Sequence, residues 1–172
     1  MGDAVKIYLI RHAHAVDSAE GIGADWERFL TPKGRKVSSR VGQKLAELGV
    51  VFDGVLTSPG VRAVQTAELV AAAAGFGDAV EVLSALAPGQ WSPDDVTRAL
   101  KGRQQDGGYA LVGHNPDMER MAAQLTDTPS SKVVFKKGMA CCIKVDGLPF
   151  RGQGKLDWVL RPKGLKVLGS FR

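Results

Sequence analysis

The chain has 172 residues, 44% of them hydrophobic and 24% charged, with a formal net charge of +5. At roughly 100–200 residues per domain, that is the size of one compact domain spanning residues 1–172, and the composition excludes a disordered tail, a collagen-like fibre and a small disulfide scaffold. No apolar run approaches the ~18 residues that span a bilayer, so no membrane association is expected.

The first residues, Met1-Gly2-Asp3-Ala4-Val5-Lys6, turn polar at once and offer no signal-peptide core. Residues 5–10 form a short apolar run and read as a buried first strand. Thr31-Pro32 then carries the signature of a helix start, with Thr31 as N-cap and Pro32 at the first helical position. Its apolar stripe is Val37, Val41, Leu45 and Leu48, and Gly49 ends it. Residues 51–57 read as a second strand. Ser58-Pro59 repeats the cap-plus-proline signal before an Ala-rich helix that runs to Gly75.

Residues 80–83 form a weak third strand, and Ser92-Pro93 opens another helix through Val96 and Leu100. Residues 109–112 are a fourth apolar strand. Asn115-Pro116 is read as the cap of a helix with Met118, Met121 and Leu125 on one stripe. Two further strands follow, over residues 140–145 and 156–160, close enough to pair antiparallel. The alternation predicts an α/β domain of three layers, with a mainly parallel central sheet, helices on both faces and an antiparallel edge pair.

Cys141 and Cys142 are adjacent, and neighbours in an extended chain point to opposite faces. They read as reduced thiols, which suits a cytoplasmic protein. Residues 130–172 carry ten Lys/Arg against two Asp/Glu, a balance of +8, leaving −3 on residues 1–129. The basic segment lacks the aromatic interleaving of a nucleic-acid surface, so no nucleic acid is expected. It reads as a solvated basic face, with steering of an anionic substrate as the alternative.

Polar constellations stand where three of the strands end: Arg11-His12-Ala13-His14, then Ser58 to Arg62, then Gly113-His114-Asn115. Ligands of open α/β sheets bind outside the carboxyl ends of the strands, so the three groups should meet at one edge. Arg11 and Arg62 offer planar forks for phosphoryl oxygens, and Arg62 lies in the first turn of a helix, where the dipole also favours an anion. His12 and His114 would supply a nucleophile and a further donor. His14 and Asn115 taken alone read as structural. A metal reading, with His12, His14 and His114 as ligands, is opposed by two arginines aimed at the same place. No metal or cofactor is expected. A phosphate-binding module without catalysis is a further alternative, disfavoured by the presence of both histidines.

These blocks resemble those of the histidine phosphatase superfamily, with its phosphoglycerate-mutase-like fold. Leu9-Ile10-Arg11-His12-Ala13 is similar to its Arg-His-Gly signature, and Leu30-Thr31-Pro32-Lys33-Gly34 to its Leu-Thr-x-x-Gly segment. Leu56 to Pro59 with Arg62, Gln65 and Thr66 resembles the second block, and Val112-Gly113-His114 the last. The four occur in family order. Arg11 to Ala15, Gly113 to Pro116 and Leu160-Arg161-Pro162 resemble the short SixA-type phosphohistidine phosphatases.

The resemblance implies a two-step phosphoryl transfer, with His12 as nucleophile and Arg11, Arg62 and His114 around the phosphoryl oxygens. It implies phosphohistidine on a protein as substrate, or else a small phosphoester, with phosphate as product. Ala13 departs from the signature glycine. The stretch 83–89, where many relatives place a carboxylate, has none, and Asp17, Glu20, Asp94 and Asp95 are the remaining acids considered for that role.

Overall fold

A computed structural model describes residues 4–18, 21, 23–103, 107–148 and 154–172. Strand β1, Val5–Arg11, is buried from Ile7 to Ile10 on both faces: Ile7 and Leu9 enter one hydrophobic layer, Tyr8 and Ile10 the other. A strand buried on both sides needs neighbours on both edges. β1 has β4, Gly108–Gly113, parallel on one side and β5, Ala140–Val145, antiparallel on the other.

The remaining strands are β2, Gly54–Thr57, β3, Glu81–Val82, β6, Lys155–Arg161, and β7, Lys166–Leu168. The sheet order is β3-β2-β4-β1-β5-β6-β7, and β5 and β7 alone run against the other strands. The antiparallel side therefore has one more strand than the sequence suggests, because residues 166–168 are too short and too charged to signal it. β2 is shorter than expected. Val51 is exposed, and Asp53 instead accepts the Gly108 N–H beside the start of β4.

Helices α1, Pro32–Glu47, and α2, Val61–Ala73, cover one face through Val41, Leu45, Ala67 and Val70. Helices α3, Pro93–Leu100, and α4, Asp117–Leu125, cover the other through Val96, Leu100, Met118 and Met121. None of the described helices is long and apolar enough to cross a membrane. Thr31 and Ser92 cap α1 and α3 as expected, each accepting a backbone N–H. Two caps are corrected. α2 begins after Gly60 without a side-chain cap, and the Ser58 hydroxyl accepts the Gly60 N–H while facing His114. Asn115, joined to Pro116 by a cis bond, leaves α4 uncapped and donates to the Phe135 carbonyl.

Register carries this fold into function. Arg11 is level with Gly113, and Thr57 with Val112, so the carboxyl ends of β1, β2 and β4 form one line. Gly34 fixes the chain that leaves β1: a Cβ there would collide with the His14 carbonyl.

Where α1 crosses α2, a Cβ on Gly42 would lie 2.5 Å from the Val70 carbonyl oxygen and 2.7 Å from the Ala73 Cβ. Helix propensity alone would make Gly42→Ala stabilising by about 1 kcal/mol. Contact with rigid backbone dominates, and urea denaturation should show a net loss of about 1–3 kcal/mol.

Candidate active site

The end of β1 is clamped from both sides. His12 N–H donates to the Gly113 carbonyl, Arg11 N–H to Met139, and the Gly138 N–H reaches the carbonyls of both Arg11 and His12. Ala13 N–H donates to the Thr66 hydroxyl on α2 at 3.1 Å. The His12 imidazole, 6% exposed, therefore projects from a fixed backbone. Its Nδ1 lies 2.7 Å from the Ala13 carbonyl oxygen. A carbonyl can only accept, so Nδ1 carries the proton and the neutral ring keeps a free lone pair on Nε2. Arg62 Nε, a donor only, points at that Nε2 from 3.3 Å.

Burial is the main reason His12 is neutral; it pushes the pKa down to about 3, helped by the adjacent His114, with which it competes for a proton, and by the Arg62 and Arg11 guanidinium groups, and opposed by the Ala13 hydrogen bond. His114, at the end of β4, packs its ring 5.1 Å from that of His12. Its pKa is lowered to about 4, again by burial first and then by Arg62. His114 Nε2 shares a 2.7 Å hydrogen bond with Ser58 Oγ, while Nδ1 is buried without a partner.

Arg11, Arg62, His12 and His114 are thus brought together. Arg11 donates to the Phe135 carbonyl at 2.7 Å and leaves Nε buried without a partner. Asn115 donates to the same carbonyl at 2.9 Å, which makes it an anchor of the Arg11 segment. His14 turns outward to Thr31 Oγ1 and does not join the other two histidines. Among the described residues no group of three His, Cys, Asp or Glu is placed to hold a metal ion.

Asp25 went unnoticed in the sequence. It sits in a 3₁₀ turn, Asp25–Glu27, and its carboxylate and carbonyl receive both terminal nitrogens of Arg62, at 3.0 and 2.8 Å. Arg28 donates to its other carboxylate oxygen, and this bond first, then Arg62, holds the Asp25 pKa below the usual range. An acid three residues before an arginine in a loop is too common a pattern to single out. Thr66 and Gln65 were legible only as motif letters. Gln65 accepts the Leu30 N–H, tying α2 to the start of α1 as Thr66 ties it to Ala13. Of the acids considered, Asp17 is exposed, Asp94 is exposed, Asp95 is engaged by Ser92 and Arg98, and Glu20 lies outside the described residues.

The sequence model of the histidine phosphatase superfamily (branch 1) matches residues 7–92. An uncharacterized protein of Picosynechococcus is 39% identical over 119 residues, covering 69% of this chain and 71% of that one. The chain belongs to the histidine phosphatase superfamily. The solved structure of the protein histidine phosphatase SixA with tungstate superposes with a TM-score of 0.79 at 26% identity, over 94% of this chain and 99% of that one. The mitochondrial serine/threonine-protein phosphatase Pgam5 of Drosophila melanogaster is 29% identical over 130 residues, which span 44% of its length. As a SixA-like histidine phosphatase, the protein is a hydrolase of phosphoryl groups, with a phosphorylated substrate and phosphate as product.

Two histidines kept neutral by the fold link stability to pH. Their folded pKa values, about 3 and about 4, lie below the ordinary 6.5. The unfolded chain therefore binds more protons as pH falls below 6.5, and stability drops in the window from 6.5 towards 4. Urea unfolding at pH 6.5 and 5 should differ by up to about 2 kcal/mol per histidine, and replacing both by alanine should flatten the difference.

Proposed function

We propose that this phosphatase removes phosphate from phosphohistidine on a protein, through a covalent intermediate on His12. The observation that carries the reading is the free Nε2 of a neutral His12, faced by Arg62 and close to Arg11 and His114, with no carboxylate free to donate a proton among the described residues. Asp25 is held ionised by Arg28 and Arg62, and Glu119, the acid that acts on Arg11, accepts the Phe135 N–H.

The first step forms a bond from His12 Nε2 to phosphorus and breaks the bond to the leaving group, which departs with the electron pair. Arg62 turns its Nε–H from the nitrogen lone pair to a phosphoryl oxygen, and Arg11 and His114 bind the others as charge develops. Water then attacks phosphorus, releasing phosphate and restoring Nε2. An alkoxide leaving group needs a proton from the enzyme, whereas a leaving imidazole takes one from solvent. A site of this kind favours the phosphoramidate.

The test is kcat/KM for a phosphohistidine protein against a panel of sugar phosphates, phosphoglycerates, phosphoserine peptides and nucleotides. A small ester turned over faster by orders of magnitude would assign the small-phosphoester reading instead. Rapid acid-free quench with labelled substrate should trap phosphate on His12, and His12→Ala should abolish it.

Arg62→Ala should lower kcat by about 10²–10³. Arg62 is buried, and truncation also removes its bonds to Asp25, so thermal stability should fall as well; Arg62→Lys, which keeps a charge but not the fork, should retain more stability than activity. Exhaustive chelation should leave the rate unchanged; a loss restored by zinc or magnesium would favour metal catalysis.

A further inference from the structure

A groove of about 790 Å³ opens beside the site, and Arg11 is among the residues that line it. Three segments build it. Lys33, Val37 and Arg40 line one side from a single face of α1, Lys136 and Lys137 come from the stretch before β5, and Pro162, Lys163 and Gly164 from the turn after β6. Besides Arg11 it carries five cationic side chains and no carboxylate among the described residues, and those five are exposed. None of them forms an ion pair within the described chain. The walls are fixed relative to the site: Gly138 ties the Lys136–Lys137 stretch to the carbonyls of Arg11 and His12 and packs against Val37 and Pro162.

We propose that this groove binds the acidic stretch of a protein substrate that flanks the phosphorylated residue. The inference rests on the protein-phosphatase reading above. Most of the cations are lysines, mobile point charges spread along the groove, and they suit a row of carboxylates better than a single fixed phosphate, for which buried forks are the usual solution. Arg11 is shared between groove and site, so a chain whose phosphoryl group lies at His12 places its flank in the groove. The potential of the five unpaired charges also steers acidic partners to this edge of the sheet. The basic balance of residues 130–172 thereby acquires a place: Lys136, Lys137 and Lys163 of that segment line one groove.

The test uses the whole protein and the triple variant Lys33→Gln/Lys137→Gln/Lys163→Gln. With para-nitrophenyl phosphate as substrate, kcat and KM of the variant should match those of the wild type. An unphosphorylated oligoglutamate peptide should inhibit the wild type competitively, and the variant about tenfold less well, with inhibition fading as salt rises. Phosphohistidine peptides with Glu flanks should show a lower KM than those with Ser flanks, an advantage lost in the variant with kcat unchanged. Absence of inhibition by the peptide, or equal inhibition of the variant, overturns the proposal. So does stronger inhibition by pyrophosphate than by the peptide with the same dependence on the three lysines, which would assign the groove to small polyanions. If acid-flanked phosphoserine peptides outrun phosphohistidine peptides while oligoglutamate inhibition behaves as stated, the groove stands and the phosphohistidine reading falls.

Discussion

Everything at this site depends on one hydrogen bond and the burial around it. The Ala13 carbonyl takes the Nδ1 proton of His12 and leaves Nε2 with its lone pair. In water such an imidazole would be partly protonated near neutral pH; here removal from solvent and the neighbouring guanidinium groups keep it neutral. The same cations that deny His12 a proton are those able to receive phosphoryl oxygens. The neutral imidazole and the cations around it are therefore one electrostatic arrangement, and it requires β1 to end where β4 ends. Arg11 opposite Gly113, with the Gly138 N–H across the Arg11 and His12 carbonyls, meets that requirement.

The two arginines are compensated differently. Arg62 rests against the carboxylate and carbonyl of Asp25, so its orientation is set in advance. Arg11 rests on a backbone carbonyl, with one buried Nε–H unpartnered and its guanidinium partly stripped of solvent, which lowers its pKa. The unpartnered Arg11 Nε–H is thus open to an anion, and Arg11 also lines the basic groove. On the proposed reading, the attraction for an acidic partner and the interaction with the reacting phosphoryl group would share one side chain.

Much of this was legible in the sequence because strand ends and turn residues announce themselves. The apolar run before Arg11, the Thr31-Pro32 and Ser92-Pro93 helix starts and the strand over residues 140–145 depend on local patterns, and each stands in the structure. The convergence of Arg11, Arg62 and His114 on His12 followed from topology. What escaped was set by long-range geometry. Ser58 and Asn115 look like helix caps, yet their side chains serve His114 and the Phe135 carbonyl, partners brought near only by the folded sheet. Strand β7 exists because β6 offers an edge, not because Lys166-Val167-Leu168 has a pattern of its own. Asp25 lies 37 residues before the arginine it orients, in a turn with no periodicity to mark it.

Asp25 also explains how a carboxylate can stand beside this site without serving as an acid. A general acid must hold a proton at the working pH and present it to the leaving group. Asp25 does neither: one oxygen faces Arg28, the other Arg62, and these bonds favour the ionised form. Its chemistry is that of an acceptor. By engaging both terminal nitrogens of Arg62, through its carboxylate and its carbonyl, it leaves Nε as the one guanidinium edge turned to His12. A carboxylate near the third strand would instead have stood free to carry a proton, and the stretch 83–89 holds none. Among the described residues, the carboxylate that faces Arg62 is thus committed to positioning, and on the proposed mechanism proton delivery falls to solvent, which would favour leaving groups that can depart without help.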